Sequence, residues 1–332
     1  MAARISVVIP NYNGGRTIGT CLDALFASAY DDFEAIVVDD CSSDESREII
    51  ARYPCRLIPL GERSGAAKAR NAGARSSTGE ILFFIDADCV VQRDTLSLVD
   101  RAVGRQDGVV VGGSYTRIPF DEGFFSTFQS VFIHYAETRK TEPDYVASHA
   151  MAMRRELFER SGGFPEDFMP IIEDVEFSHR LRRSGTALRM DASILVRHIF
   201  GFTLLKSLRN AFRKSMYWTA YSLKNRDLLT DSGTASVELK ANVLSFFSVL
   251  LVLLLFLVLR RPYLLAFVPA VLALNLYLSR RFLASLGQAK GLSFLLPAAL
   301  YYVAVYPLPI GAGSLAGMAK FYLGRGELGR LR

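Results

Sequence analysis

The sequence predicts an α/β domain built on a mostly parallel sheet flanked by helices, followed by transmembrane helices. Three observations predict it. Between residues 4 and 115, short apolar runs alternate with amphipathic stretches. Beyond Lys240 the chain turns almost wholly apolar. The charge divides near the same place: residues 1–232 hold 29 Lys/Arg against 31 Asp/Glu, and residues 233–332 hold 10 against two, Glu238 and Glu327. The formal charge of +6 over 332 residues thus hides a near-neutral first part and a basic, apolar tail. Basic charge confined to an apolar segment argues against a nucleic-acid partner and for a membrane surface.

Strands are expected at Ile5–Ile9, Ala35–Val38, Arg56–Leu60 and Ile81–Ile85, which are short and mostly β-branched or aromatic. Amphipathic stretches at Thr17–Ser28 and Ser46–Tyr53 are expected as the helices between them. Such alternation implies a parallel sheet with helices on its faces. Ligands of these sheets sit beyond the carboxyl ends of the strands. Residues 116–200 are less regular and richer in aromatics. Phe202–Lys224 mixes basic and bulky apolar residues at helical spacing and reads as an amphipathic helix lying on a membrane. Ala241–Leu259 is a 19-residue uncharged run long enough to span, Tyr263–Ser279 is a second of 17, and Leu292–Ala319 is a third, bearing Pro297, Pro307 and Pro309. Arginine or lysine follows every run (Arg260 and Arg261; Arg280, Arg281 and Lys290; Lys320, Arg325, Arg330 and Arg332), so charge selects no orientation. The organisation expected is residues 1–200 as the α/β domain, 201–239 as an interfacial segment, 240–320 as a membrane region with two or three spans, and 321–332 as a basic tail.

Four cysteines, Cys21, Cys41, Cys55 and Cys89, form no C-x-x-C pair and read as free, buried thiols in a reducing compartment. The first residues, MAARISVVIP, lack the pattern of a signal peptide, which places the first domain in the cytoplasm.

Four features carry chemistry. ILFFIDADCV (81–90) ends an apolar strand in Asp86 and Asp88, whose period-two spacing sends both carboxylates to one side. Two such carboxylates repel unless a cation lies between them, and hard oxygen ligands suit Mg2+ or Mn2+. EAIVVDDCSSDES (34–46) ends a strand in Asp39 and Asp40; capping explains Ser43 and Asp44 but not two consecutive acids. SVVIPNYNGGRTIG (6–19) runs from a strand through Pro10, Asn11 and Tyr12 into two glycines and a helix, without the G-x-G-x-x-G fingerprint. GGFPEDFMPIIEDVEFSHRL (162–181) carries Glu173 and Asp174 at a helix start, where acids also simply stabilise the N-terminus. GERSGAAKAR (61–70) fails the Walker A pattern, and the glycines of GAGSLAG (311–317) are better explained by close helix packing.

Taken in chain order, PNYN, VVDDCSSD, KARNAGARSSTGEILFFIDAD and GGFPEDF…EDVEFSHRL, the features resemble glycosyltransferase family 2 over about residues 4–200. The resemblance implies a GT-A fold, the nucleotide-diphospho-sugar transferase fold. It implies inverting transfer of a hexosyl group from a nucleotide-diphosphate sugar, a UDP-sugar first, with divalent Mg2+ or Mn2+. Pro10, Asn11 and Tyr12 match the first nucleotide-contacting turn, and Asp39 and Asp40 the acids at the base. Arg70 matches the arginine near the nucleotide. Asp86 matches a ribose or metal contact, Asp88 a metal ligand, and Asp174 the catalytic base. His198, in VRHIFG, sits where some members place a histidine near metal or diphosphate. The Q-x-x-R-W motif of processive members is absent; the nearest string is RKSMYW (213–218). With the apolar tail, the expectation is a multi-pass cell-membrane enzyme of envelope glycan or glycolipid synthesis. Its catalytic domain is cytoplasmic and its acceptor lipid-linked or a glycan. A polyprenyl-phosphate sugar synthase and a non-catalytic nucleotide-sugar binder are the alternatives. Phe124, Phe125, Phe128, Phe132 and Tyr135 could line an acceptor groove or form core.

Overall fold

The sheet forms where the sequence places its apolar runs. In the computed structural model, which describes residues 3–104, 108–167, 169 and 171–323, the strands are β1 (Ile5–Asn11), β2 (Phe33–Asp39), β3 (Arg56–Pro59), β4 (Ile81–Ile85), β5 (Cys89–Val91), β6 (Val109–Tyr115), β7 (Ala150–Arg154) and β8 (Ala187–His198). Their helices are α1 (Ile18–Phe26), α2 (Ser46–Ile50), α3 (Ala66–Arg75), α4 (Thr95–Gly104), α5 (Phe124–Thr138), α6 (Arg155–Ser161) and α7 (Glu173–Arg183). The sheet order is β3-β2-β1-β4-β7-β6-β8-β5. β1 to β4 pair in parallel. Beyond β4 the sheet is mixed: β7 runs antiparallel to β4 and β6, and β5 antiparallel to β8. Every residue of β4 is fully buried, which its unbroken apolar run requires. Phe84 on β4 packs with Phe158 and, edge to face, with Phe164, while Phe177 of α7 closes the cluster. That cluster ties the carboxyl end of β4 to α7.

The chain divides into two units, Met1–Glu122 with Glu137–Gly201, and Gly123–Ala136 with Phe202–Arg332. The first contains the sheet. The second takes most of α5 together with α8 (Leu204–Asn225), α9 (Val237–Leu259), α10 (Phe267–Leu278), α11 (Arg280–Lys290), α12 (Leu292–Leu300) and α13 (Pro307–Leu323). In it Phe128 and Phe132 are buried against Phe282 and Tyr306, so these aromatics form core within that unit. The four cysteines are free, but only Cys21 and Cys89 are buried; Cys41 is exposed and Cys55 half-buried, because both lie in loops between elements.

Val237–Leu259 and Leu292–Leu323 are long and apolar enough to cross a membrane. The run expected as a second span, Tyr263–Ser279, opens in a 3-10 turn at Pro262–Ala266 and continues as α10; the break comes at its end, where the helix bends by 65° into α11. The break follows the sequence, since Arg280 and Arg281 end the apolar run and α11 is amphipathic, with Phe282, Ser285 and Leu286 turned inward. Residues 324–332, most of the expected basic tail, lie outside the described residues.

The glycines of GAGSLAG do serve helix packing. A Cβ at Gly313 would stand 2.4 Å from the Phe212 carbonyl oxygen, and one at Gly317 2.3 Å from that of Met216, so α13 lies with its backbone against α8. Gly317→Leu is therefore expected to lower stability by about 1–3 kcal/mol, the range for overpacking. Ala319→Leu, on the exposed side, should change little. Thermal unfolding of the two variants in detergent checks this.

Candidate active site

The carboxyl ends of β1, β2 and β4 open onto a recess of about 500 Å3 whose lining includes Pro10, Asn11, Tyr12, Gly14, Asp40, Arg70, Asp86 and Asp88. Two loops frame it and are stitched together. The Asn13 N–H donates to Ser42 Oγ, the Ser43 N–H to Asn13 Oδ1, and the Gly15 N–H to Asp44 Oδ2, each at 2.8 Å. Asp44 Oδ1 also accepts from the Ser46 N–H at the start of α2, so its capping role is real but shared with this staple. Cys41 sits in the left-handed region at φ 64, a conformation that strains a residue with a Cβ.

The consecutive acids divide their work. Asp39 is fully buried and turned into the fold, where Asn11 Nδ2 (2.9 Å), the Ser42 N–H (3.1 Å) and Arg47 Nε (2.6 Å) donate to it. Burial pushes its carboxyl up, but those bonds outweigh it and hold the group below its ordinary value. Asp39 is absent from the recess lining, whereas Asp40 is part of it. The Asp40 carboxylate accepts from the N–H groups of Ser64 (2.6 Å) and Gly65 (2.8 Å), which brings the start of α3 to the recess. Tyr12 is 42% exposed, so one face can still meet a ligand while the Arg63 guanidinium lies 4.1 Å over its ring.

Arg70 occupies the centre. From α3, with only 4% of its side chain exposed, it donates Nη2–H to Asp86 Oδ1 and Nη1–H to Glu173 Oε1, both at 2.7 Å. Burial opposes its charge, yet Asp86, Glu173 and Asp174 outweigh that and raise its pKa further. Through it the acids after β4 and those opening α7 share one site. Glu173 itself is pushed up by burial. Beside it, Asp174 Oδ2 accepts from the Ser148 N–H at 3.0 Å and from Ser148 Oγ at 3.4 Å. Ile172, which precedes the pair, is left-handed at φ 68, costly for a β-branched residue at the mouth of a helix.

Burial pushes the Asp88 carboxyl up to about 7, and the Asp86 charge adds to this. Asp86 is driven the other way: burial opposes ionisation, but Arg70, His149 and His198 hold it low. Each keeps about a third of its side chain open, 32% for Asp86 and 39% for Asp88, so a ligand in the recess reaches both. The pairing of β5 with β8 brings His198 Nε2 within 3.4 Å of Asp88 Oδ1, with the His198 ring stacked on Phe200.

Two residues escape sequence reasoning. His149 is buried, stacked at 3.9 Å on Tyr115, and 3.3 Å from Glu137 Oε2, which also accepts from Ser114 Oγ at 2.6 Å. Burial lowers its pKa, but Glu137, Asp86 and Asp174 raise it overall. Ser148 is the other. Neither stands in a pattern, and both acquire meaning only from segments far away in sequence.

Among the described residues no three His, Cys, Asp or Glu side chains form a ready metal cage. Two carboxylates that repel each other, with an imidazole at the edge, instead fit a hard divalent cation that takes its remaining ligands from water and a substrate phosphate.

A model of the family described as glycosyl transferase family 2 matches residues 6–162. Over that stretch, just under half of the chain, the sequence is similar to glycosyl transferase family 2. Glycosyltransferase GlyG of Streptococcus pneumoniae serotype 4 is 32% identical over 130 residues, 38% of this chain and 43% of GlyG. The chain thus spans less than half of that relative. Glycosyltransferase AglE of Haloferax volcanii is 27% identical over 228 residues, 64% of this chain and 74% of AglE. The mannosyltransferase PcManGT from Pyrobaculum calidifontis, solved in complex with GDP-Man and Mn2+, shares the fold. Its TM-score is 0.59 at 21% identity, covering 98% of this chain and 88% of that one. The GT-A fold implied by the resemblance is the one observed.

Two outcomes follow for this site. Arg70→Met leaves Asp86 and Glu173 buried without their counter-charge, and is expected to destabilise the protein by about 3–5 kcal/mol in denaturant unfolding. With burial pushing the Asp88 carboxyl up to about 7, protons compete for it below that pH. If Asp88 holds Mn2+, the affinity should then fall by about tenfold per pH unit on the acid side and level off above. Calorimetric Mn2+ titration from about pH 5.5 to about pH 8.5 reads the slope.

Proposed function

We propose that this protein is an inverting glycosyltransferase that moves a sugar from a nucleotide-diphosphate donor to an acceptor hydroxyl. The observation that carries the reading is the Arg70 bridge, which sets Asp86 and Asp88 on one side of a single guanidinium and the Glu173–Asp174 pair on the other. The nucleotide lies in the recess, with its base by Asp40 and Tyr12 and its diphosphate toward Asp86 and Asp88. Asp88 and Asp86, with His198 at the edge, would hold a divalent cation, Mg2+ or Mn2+, whose positive charge would favour departure of the diphosphate. Asp174, fixed by Ser148, takes the proton of the acceptor hydroxyl as that oxygen attacks the anomeric carbon. One displacement inverts the centre and needs no covalent carboxylate intermediate.

The relatives' names support the transferase class, and the bound GDP-Man and Mn2+ of PcManGT support a nucleotide-sugar donor with a divalent metal. We take a UDP-sugar as the first donor to test. The apolar helices support a membrane enzyme of cell-envelope glycan synthesis with a lipid-linked acceptor and a cytoplasmic site, where nucleotide sugars are made available. A thermal-shift series with UDP-, GDP- and dTDP-sugars and Mn2+ identifies the base, since stabilisation grows with ligand concentration over Kd.

Asp174→Asn decides the mechanism. It should lower kcat by roughly 10²- to 10⁴-fold and leave donor binding by thermal shift nearly unchanged. Near-normal transfer by the variant would show that Asp174 is not the base. Metal-dependent donor binding with no turnover in the native chain, with or without membrane lipid extract, would favour the non-catalytic binder.

A further inference from the structure

The two candidate spans differ in what lies beside them. The helix Leu292–Leu323 runs along α8 in the same direction. Ser207 Oγ and the Tyr301 hydroxyl are 2.9 Å apart near one end; Gly313 abuts Phe212 and Gly317 abuts Met216; and Lys320 Nζ lies 4.8 Å over the Tyr217 ring near the other. The midpoint of Leu292–Leu323 falls near Pro307 and Leu308, between the Ser207 and Phe212 contacts. At that level α8 carries Lys206 and Arg209, with Arg213 and Lys214 just beyond, all four exposed. A bilayer crossed by Leu292–Leu323 would therefore hold a cluster of arginines and lysines near its centre, where charged side chains are least tolerated.

α9 offers the opposite. It has no charge from Ala241 to Leu259, and after Phe247 none of its residues is buried. Leu251, Leu254 and Leu257 are each more than half exposed. Arg260 and Arg261 form its tip, and Pro262–Leu278 returns beside it, so that Asn275 Nδ2 donates to Asn242 Oδ1 at 2.8 Å. Asn242 Nδ2 in turn donates to the Tyr302 carbonyl oxygen at 2.7 Å, which fixes both feet of the hairpin at one level. At 1.5 Å per residue, α9 is about 35 Å long, enough for a hydrocarbon layer of about 30 Å.

We propose that the hairpin of α9 and α10 is the membrane anchor, and that Leu292–Leu323 lies with α8 along an anionic bilayer surface rather than through it. The basic stretch of α8 meets lipid headgroups. Leu296, Leu300, Leu308 and Leu315, exposed along one face of the long helix, dip into the acyl boundary. This deepens the membrane part of the function proposed above and does not depend on the transfer reaction.

The test is cysteine accessibility in the full chain with its four native cysteines replaced by alanine, using Leu229→Cys, Arg260→Cys, Gln288→Cys and Leu323→Cys in sealed membranes and a membrane-impermeant maleimide. Leu229→Cys, Gln288→Cys and Leu323→Cys should label from one side and Arg260→Cys from the other only. Labelling of Leu323→Cys opposite to Gln288→Cys would mean that Leu292–Leu323 crosses, and would overturn the proposal. Labelling of Arg260→Cys with Leu229→Cys would overturn the hairpin, while leaving the Asp174 assay to judge the reaction. Trypsin on sealed vesicles of the unaltered chain gives the same decision if the cysteine variants fail to fold. Cuts at Lys290 and Lys320 should appear from one face and the cut after Arg260 from the other, and any other division refutes the assignment.

Discussion

Four carboxylates meeting at one point is the constraint on which this site depends. Asp86, Asp88, Glu173 and Asp174 come from two segments far apart in sequence, and like charges at such separations repel strongly where water is scarce. Arg70 makes the arrangement possible. Its planar guanidinium donates in two directions at once, to Asp86 and to Glu173, which a single ammonium on a flexible stem does less well. Being buried, it compensates charge where the dielectric is low and the interaction strong. The aromatic cluster of Phe84, Phe158, Phe164 and Phe177 gives the bridge a rigid base by joining β4 and α7 beneath it.

A division of labour recurs in the acids. In each pair one carboxylate is tied to an arginine: Asp39 to Arg47, and Asp86 and Glu173 to Arg70. Asp39 is consumed by Asn11, Ser42 and Arg47, and leaves Asp40 at the recess. Asp86 and Glu173 are anchored on Arg70, and on the proposed function Asp88 and Asp174 are the working neighbours. The anchored partner fixes the position of its neighbour, because adjacent or alternate residues on a rigid element cannot move independently. Preorganisation of this kind is what a transition state rewards, since no reorganisation is then needed as charge develops.

On the anchor proposed above, composition alone does not set the depth of the apolar helices in a membrane. Val237–Leu259 and Leu292–Leu323 both satisfy length and hydropathy. They part company through their neighbours: past Phe247 the first has no buried residue, and the second is locked by Gly313 and Gly317 onto a helix with four exposed cations. Depth is a property of the packed pair, because a helix cannot carry its partner's charge into hydrocarbon without the same penalty.

The strands from Ile5 to Ile85, the acids at their ends and the helix start at Glu173 were legible in the sequence, because each rests on local physics: apolar periodicity, residue size and the turn chemistry that follows a strand. The split of charge at the tail was legible for the same reason. What the chain order could not contain was the meeting of segments. The antiparallel insertion of β7, the approach of His198 to Asp88, the stacking of His149 on Tyr115 and the grip of Ser148 on Asp174 all join residues 20 or more positions apart. Of two adjacent acids, Asp39 and Asp40, the sequence by itself determined that both stand at the end of a strand. Only the tertiary structure decided which is spent on the fold and which faces the recess, because that depends on donors, Asn11 and Arg47 for one and the Ser64–Gly65 backbone for the other, that reach them through space rather than along the chain.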